Sequence, residues 1–320
     1  MSAKRDTFRD TDFGRAYEPA PAKKLFVPGD IASPITDNFV DSSHCRIAVR
    51  QSEGPGLPIV FLHGNSGSKE VFDLQFRSAL SQSHRLIAID LPGHGASANA
   101  DHPAETYTFP GYADAVAQVL EALGIEQAAV VGWSLGGHIA LELLASYPGV
   151  VGVMTIGAPA IPRDLAAMQS AFRPSPLAAL AGAQDLSDAQ VAEFARLAYG
   201  PGDAAQFEAA LRRTDGRARA LMLRSLLALD FEDERLLVET SNVPIAVVNG
   251  AEDPLVDDSY VDDLAYANLW GGRRNLIPRA GHAPFLDASS VFNALLFRWA
   301  SDMQRLADER AQNPMLTYSA

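Results

Sequence analysis

The sequence predicts an α/β fold, a mostly parallel sheet flanked by helices with an inserted helical cap. Three observations carry that expectation. Short β-branched runs alternate with helical stretches from Cys45 onward, which requires crossover connections and therefore parallel strands covered on both faces. Between Pro159 and Asn242 the strand signal vanishes, and Ala/Leu/Arg-rich helical segments follow one another, broken at Pro174, Pro176, Gly200, Pro201, Gly202 and Gly216. Finally, Gly132, Trp133, Ser134, Leu135 and Gly136 sit between an apolar run and a helical pattern, which puts a serine on a sharp strand-to-helix turn.

Taken in order, residues 1–40 mix charges with Pro19, Pro21, Pro28 and Pro34 and show no sustained periodicity, so they are expected to form an extension outside the core. Strands are expected at 46–49, 59–62, 86–89, 128–131, 150–156, 244–248 and 275–277. The expected division is a core of 41–158 and 243–310, a helical cap of 159–242 and a tail of 311–320. No internal repeat is present. With 48% hydrophobic and 20% charged residues in 320, the chain suits one large domain carrying an insertion.

Charge and composition exclude several functions. A net charge of -13 without a Lys/Arg cluster argues against a nucleic-acid partner. No apolar run approaches the roughly 20 residues that cross a bilayer, so no membrane partner is expected. Cys45 is the single cysteine and can form no internal disulfide, and the polar N-terminus lacks an apolar signal core; a reducing, cytoplasmic location is expected. The seven histidines form neither His-x-His nor His-Glu-x-x-His, which disfavours a metal-dependent hydrolase; no metal and no cofactor are expected.

The remaining chemistry is nucleophilic. An acyl-transfer serine needs a base, an acid that orients the base, and donors for the oxyanion. Ser134 follows the 128–131 run, Asp253 follows 244–248 through Asn249 and Gly250, and His282 follows 275–277, which is the chain order nucleophile, acid, base with each just past a strand. Glu252, Asp257 and Asp258 compete with Asp253, which is preferred because its spacing from Gly250 turns it inward and Pro254 stiffens it. His63, His94 and His138 are expected to pack in loops and helices, and His44, His84 and His102 to lie on the surface. A serine opening a helix is ordinarily only a cap. The loop of His63, Gly64, Asn65, Ser66 and Gly67 looks like the oxyanion loop, with the backbone N–H groups of Asn65 and Leu135 as its donors. Asp90, Leu91, Pro92, Gly93, His94 and Gly95 read as a structural turn.

These motifs in this order resemble those of α/β-hydrolases. More narrowly, residues 46–50, 112–115, 213–219, 244–250, 268–270 and 280–285 resemble N-acyl-homoserine lactonases built on that fold, over about residues 43–300. The resemblance implies that Ser134 attacks a lactone carbonyl while His282 takes its proton and Asp253 steadies the imidazolium. It also implies an acyl pocket supplied by the cap, for which Phe172, Leu177, Phe194, Leu197 and Leu221 are the candidates, with Trp133 from the serine turn as a further pocket residue. Lactonases of this type present a cap tyrosine to the substrate, whereas the matching stretch here reads Glu193, Phe194, Ala195, Arg196. The expected partner is a small acyl ester or lactone. The rival readings are a carboxylesterase or carbon-carbon bond hydrolase of the same fold, and a small-ligand sensor without catalysis.

Overall fold

Ile59, Val60, Phe61 and Leu62 are all fully buried although their side chains alternate between the two faces of a strand. Such a run is stable only in a sheet that is covered on both sides. In a computed structural model, which describes residues 34–200 and 207–312, that strand lies inside one eight-stranded sheet. Its strands are β1 Ile35–Asp41, β2 Arg46–Ser52, β3 Gly56–Leu62, β4 His84–Ile89, β5 Ala128–Trp133, β6 Val150–Ile156, β7 Ile245–Gly250 and β8 Asn275–Ile277. The order is β1-β2-β4-β3-β5-β6-β7-β8, parallel from β4 onward and antiparallel at β1/β2 and β2/β4.

Alternation assigns each face its own core. Val60, Leu62, Ile87, Ile89, Val130 and Val153 face helices Phe109–Ala122 and Leu135–Ser146, while Ile59, Phe61, Leu86, Ala88, Val131 and Met154 face helix Ser289–Gln312. On the last helix the buried residues Phe292, Leu296, Trp299, Ala300, Met303 and Ala307 recur at steps of three and four, which puts them on one stripe. Full burial of such side chains stabilises by about 1.5–3 kcal/mol each, more than the helix's own propensity supplies.

From β3 the chain crosses to β4 on one side and then to β5 on the other, so β3 and β5 are neighbours whose following loops diverge. Such a switch in strand order leaves a crevice at the carboxyl ends of the two strands, where open α/β sheets bind ligands. The loop after β3 and the turn after β5 therefore meet there.

Between β6 and β7 the described residues contain helices and no strand of the sheet: Leu165–Ser170, Pro176–Gly182, Asp188–Tyr199, Glu208–Arg213, Gly216–Leu227 and Glu234–Thr240. Their caps are legible locally: Ser187 and Gln190 form a reciprocal capping box, and Asp164, Asp215 and Asp233 each accept a backbone N–H of the helix that follows.

Four expectations need correction. Residues 35–40, expected outside the core, form most of β1, an edge strand paired along its length with β2. His84 is 4% exposed, not a surface residue, because it opens β4 beneath Phe297 and meets Ser83 Oγ at 2.9 Å. His44 is half-buried, bridging Thr106 at 2.8 Å and Asp114 at 2.7 Å. The last helix continues to Gln312, two residues into the expected tail. The rest of the expected extension, 1–33, and of the tail, 313–320, lies outside the described residues. Among the described residues no helix is long and apolar enough to cross a membrane.

Candidate active site

The turn after β5 is built around backbone contacts too close for side chains. A Cβ on Gly132 would lie 2.1 Å from the Gly136 carbonyl oxygen, and one on Gly136 would lie 2.1 Å from that of Leu62. Between them Ser134 adopts φ 52° and ψ -119°, a strained conformation held by its N–H donating to the Ile156 carbonyl at 2.8 Å. Although Ser134 immediately precedes helix Leu135–Ser146, its side chain makes no capping hydrogen bond. The ordinary role of a serine at this position is thus unfilled, and its hydroxyl faces a cavity.

The imidazole beside this serine comes from the loop after β8. His282 is 3% exposed, and its Nδ1 meets Asp253 Oδ2 at 2.8 Å. That contact puts the proton on Nδ1 and leaves Nε2 as the ring's acceptor. The other carboxylate oxygen, Oδ1, accepts the backbone N–H groups of Leu255 at 2.8 Å and Val256 at 3.2 Å. Burial pushes the Asp253 carboxyl up, but the His282 imidazole and those two amides outweigh it and hold the carboxyl below its usual range. The competing acids have other partners: Asp257 caps helix Asp258–Asp263, Asp258 pairs with Arg173 and Arg274, and Glu252 is exposed.

The loop after β3 is fixed from beneath. His63 Nδ1 meets the Gly64 carbonyl at 2.8 Å, and its Nε2 accepts the Leu91 N–H at 3.0 Å, tying this loop to the turn after β4. Burial pushes the His63 imidazole down to about 4, which keeps it neutral. Asp90, fully buried, accepts from the Lys69 N–H, Lys69 Nζ and the Ala96 N–H, so the turn that follows it is held internally.

Gly64, Asn65, Trp133, Ser134 and His282 line one cavity of about 30 Å³, roofed by Leu177, Ala181, Phe194 and Ala198 from the insertion and by Leu255. A serine hydroxyl, an imidazole paired with a carboxylate, and the loop after β3 thus meet around one small apolar space. Such a set can transfer an acyl group.

Known proteins bear on this reading. A family model described as the alpha/beta hydrolase fold matches residues 58–289, most of the chain. The chain belongs to the α/β-hydrolase fold family. Among solved structures, this α/β-hydrolase is similar to a mutant of the N-acyl homoserine lactonase AidH complexed with N-hexanoyl homoserine. The identity is 41% and the TM-score 0.82, over 84% of this chain and 98% of that one. Among curated proteins it is 26% identical to the AB hydrolase superfamily protein YisY of Bacillus subtilis, over 78% of this chain and 93% of that protein. It is also 29% identical to a pimeloyl-[acyl-carrier protein] methyl ester esterase of Neisseria meningitidis, over 77% of this chain and 79% of the esterase.

Of the expected pocket residues of this hydrolase, Trp133, Leu177 and Phe194 line the cavity, and Phe172, Leu197 and Leu221 do not. Phe172 instead forms a bridge with Val256 beside the acid loop. Leu197 lies one helical step from the face that Phe194 and Ala198 share four residues apart, and it packs sideways. Leu221 packs against the opposite core cluster. Composition points to the large apolar side chains, whereas the roof also includes Ala181 and Ala198.

Two further contacts were not legible in the sequence. Trp133 Nε1 donates to the His282 carbonyl at 2.8 Å, linking the residue before the nucleophile to the base. Arg173 Nη1 donates to the Asp253 carbonyl at 3.0 Å and so ties the insertion to the acid loop. An arginine among many and a tryptophan in the variable position of the motif carry no local signal of such partners.

Proposed function

We propose that this α/β-hydrolase opens the lactone ring of N-acyl-homoserine lactones, with Ser134 as nucleophile, His282 as general base and Asp253 as its orienting acid. The observation that supports this most is His282, paired with Asp253, lining one apolar cavity with the strained Ser134, in a chain 41% identical to a lactonase over nearly that protein's whole length.

In this reading Ser134 Oγ adds to the lactone carbonyl as its proton passes to His282 Nε2, and the carbonyl oxygen takes the negative charge. The N–H groups of Asn65 and Leu135 bind that oxyanion, aided by the positive end of helix Leu135–Ser146. Collapse breaks the ring C–O bond, and His282 returns the proton to the departing alkoxide, which stays tethered to the acyl group. Water activated by His282 then releases an acyl-homoserine. Because the tethered alcohol can reclose with an effective molarity reaching roughly 10⁵ M, the hydrolytic water must be held in place in advance.

The cavity of about 30 Å³ is narrow beside typical ligand pockets of several hundred Å³, so a bound substrate would press against the roof of Leu177, Ala181, Phe194 and Ala198. Phe194 offers the substrate a ring face without a hydroxyl, so contact there is apolar.

A second reading, a carboxylesterase, is favoured by the likeness to the methyl ester esterase. The two separate in one experiment: kcat/KM for N-hexanoyl homoserine lactone against p-nitrophenyl butyrate, at a pH where spontaneous ring opening is slow. The lactone is expected to exceed the ester by about tenfold or more. Turnover of the ester with an inert lactone would replace the lactonase reading with the esterase one.

A further inference from the structure

Arg219, on helix Gly216–Leu227 of the insertion, is 4% exposed, and Asp185 and Asp215 act on it only through space, with no ion pair to it among the described residues. A guanidinium is not buried cheaply without a carboxylate, so the destinations of its donors are informative. Nε donates to the Ala183 carbonyl at 2.6 Å and Nη2 to the Gln184 carbonyl at 2.8 Å, just past the end of helix Pro176–Gly182. Those two contacts alone would make it a helix cap. The third is different: Nη1 donates to Ser66 Oγ at 3.2 Å, in the loop after β3.

Because a guanidinium can only donate, it fixes the direction of everything downstream. Ser66 Oγ accepts from Arg219, so its own proton goes to Asn65 Oδ1 at 3.0 Å. The Asn65 oxygen is thereby the acceptor, and its Nδ2 donates to the Ala181 carbonyl at 2.8 Å, back on the same helix end that Arg219 holds. The circuit runs Arg219, Ser66, Asn65, Ala181 and returns through residues 181–184. Ser66, fully buried with φ 59°, sits at the strained point of that loop.

We propose that Arg219 is a positioning residue for the oxyanion site: through Ser66 and the Asn65 side chain it fixes the loop so that the Asn65 N–H faces the carbonyl under attack. This rests on the reading of Asn65 as an oxyanion donor. It adds that the insertion sets the reactivity of the core as well as the shape of the pocket.

The test uses Arg219→Met, which keeps the apolar stem, and Ser66→Ala, which removes one hydroxyl and leaves Arg219 in place. Both are assayed on p-nitrophenyl butyrate, with active sites counted by fluorophosphonate labelling. Affinity for a trifluoromethyl ketone, whose serine adduct carries the oxyanion, is measured alongside. Removing a whole oxyanion donor costs about 10²–10³-fold in kcat. Misdirecting one should cost Arg219→Met about 10–100-fold in kcat per active site, with KM within about threefold of wild type, ketone affinity weakened by a similar factor and the pH profile unmoved. Ser66→Ala should follow in the same direction by about 3–10-fold, and the double variant should be no worse than Arg219→Met.

Unchanged kcat and ketone affinity per labelled site, with only stability lowered, would reduce Arg219 to a structural cap and overturn the proposal. If Arg219→Met does not fold, Ser66→Ala decides by the same two readouts. None of the three probes is a lactone, so an inert lactone would leave the proposal standing, whereas wild-type protein unreactive toward ester, fluorophosphonate and ketone alike would overturn both the proposal and the hydrolase reading beneath it.

Discussion

Replacing Ser134 by alanine is expected to lower kcat on the lactone by on the order of 10⁴–10⁶-fold with the fold intact, since among the described residues no other hydroxyl lines the cavity. Only the nucleophile is lost, while the oxyanion donors and the apolar roof remain. A companion variant, Ser134→Gly, separates chemistry from folding. Glycine carries no Cβ penalty at φ 52°, so it should be as inactive as the alanine variant and more thermostable by a few degrees. The strain at Ser134 is then a cost in stability that the wild type bears for exposing its nucleophile. Thermal unfolding and steady-state rates on the two variants check this, and an Ser134→Ala enzyme within tenfold of wild type would exclude Ser134 as nucleophile.

Asp253→Asn should cost roughly 10³–10⁴-fold in kcat with little change in KM. The orientation of the new amide is dictated by its surroundings. Its oxygen must stay on the N–H groups of Leu255 and Val256, which already use Oδ1, and so its NH₂ group faces His282 Nδ1. A donor there forces Nδ1 to be an acceptor and moves the ring proton to Nε2, where the base must be free. The wild-type carboxyl is held below its ordinary value of 3.8, so it is ionised wherever the enzyme works, and the deficit of the variant should be the same from pH 6 to 9. The sign for stability follows: a lowered folded value adds stability above the unfolded value, and that stability is lost as pH falls through the folded one. The variant should therefore be less stable than wild type at pH 7, and the difference should shrink toward pH 3. An activity deficit that disappears at alkaline pH would contradict this tautomer argument.

The parts of this molecule that were legible in the sequence are those where one short segment decides the outcome. The inner strands could be read because burial on both faces writes a continuous β-branched run, as in Ile59–Val60 or Val130–Val131. The turn around Ser134 could be read because its glycines are demanded by contacts within a few residues and by one neighbouring strand. By contrast β1 carries Asp37 and Asn38 and leaves Ile35 and Phe39 about half exposed, so an edge strand solvated on both faces left no apolar alternation to find. The cavity roof was only half legible. Its large residues Leu177 and Phe194 announced themselves, but the choice of Ala198 over Leu197 turns on helical rotation, and Ala181 lines the site only because two helices and a loop meet there. Least legible were Arg173, Arg219 and the Trp133 indole nitrogen, whose partners lie 35 to 153 positions away in the chain.

The most direct measurement is the mass of the covalent intermediate. When the enzyme is mixed with excess N-hexanoyl homoserine lactone and quenched in acid within one turnover, the peptide containing Ser134 should gain the mass of the entire lactone, because ring opening leaves the alcohol attached to the acyl group. Continued lactone hydrolysis with no such adduct on Ser134, or with only the hexanoyl group transferred to it, would contradict the account.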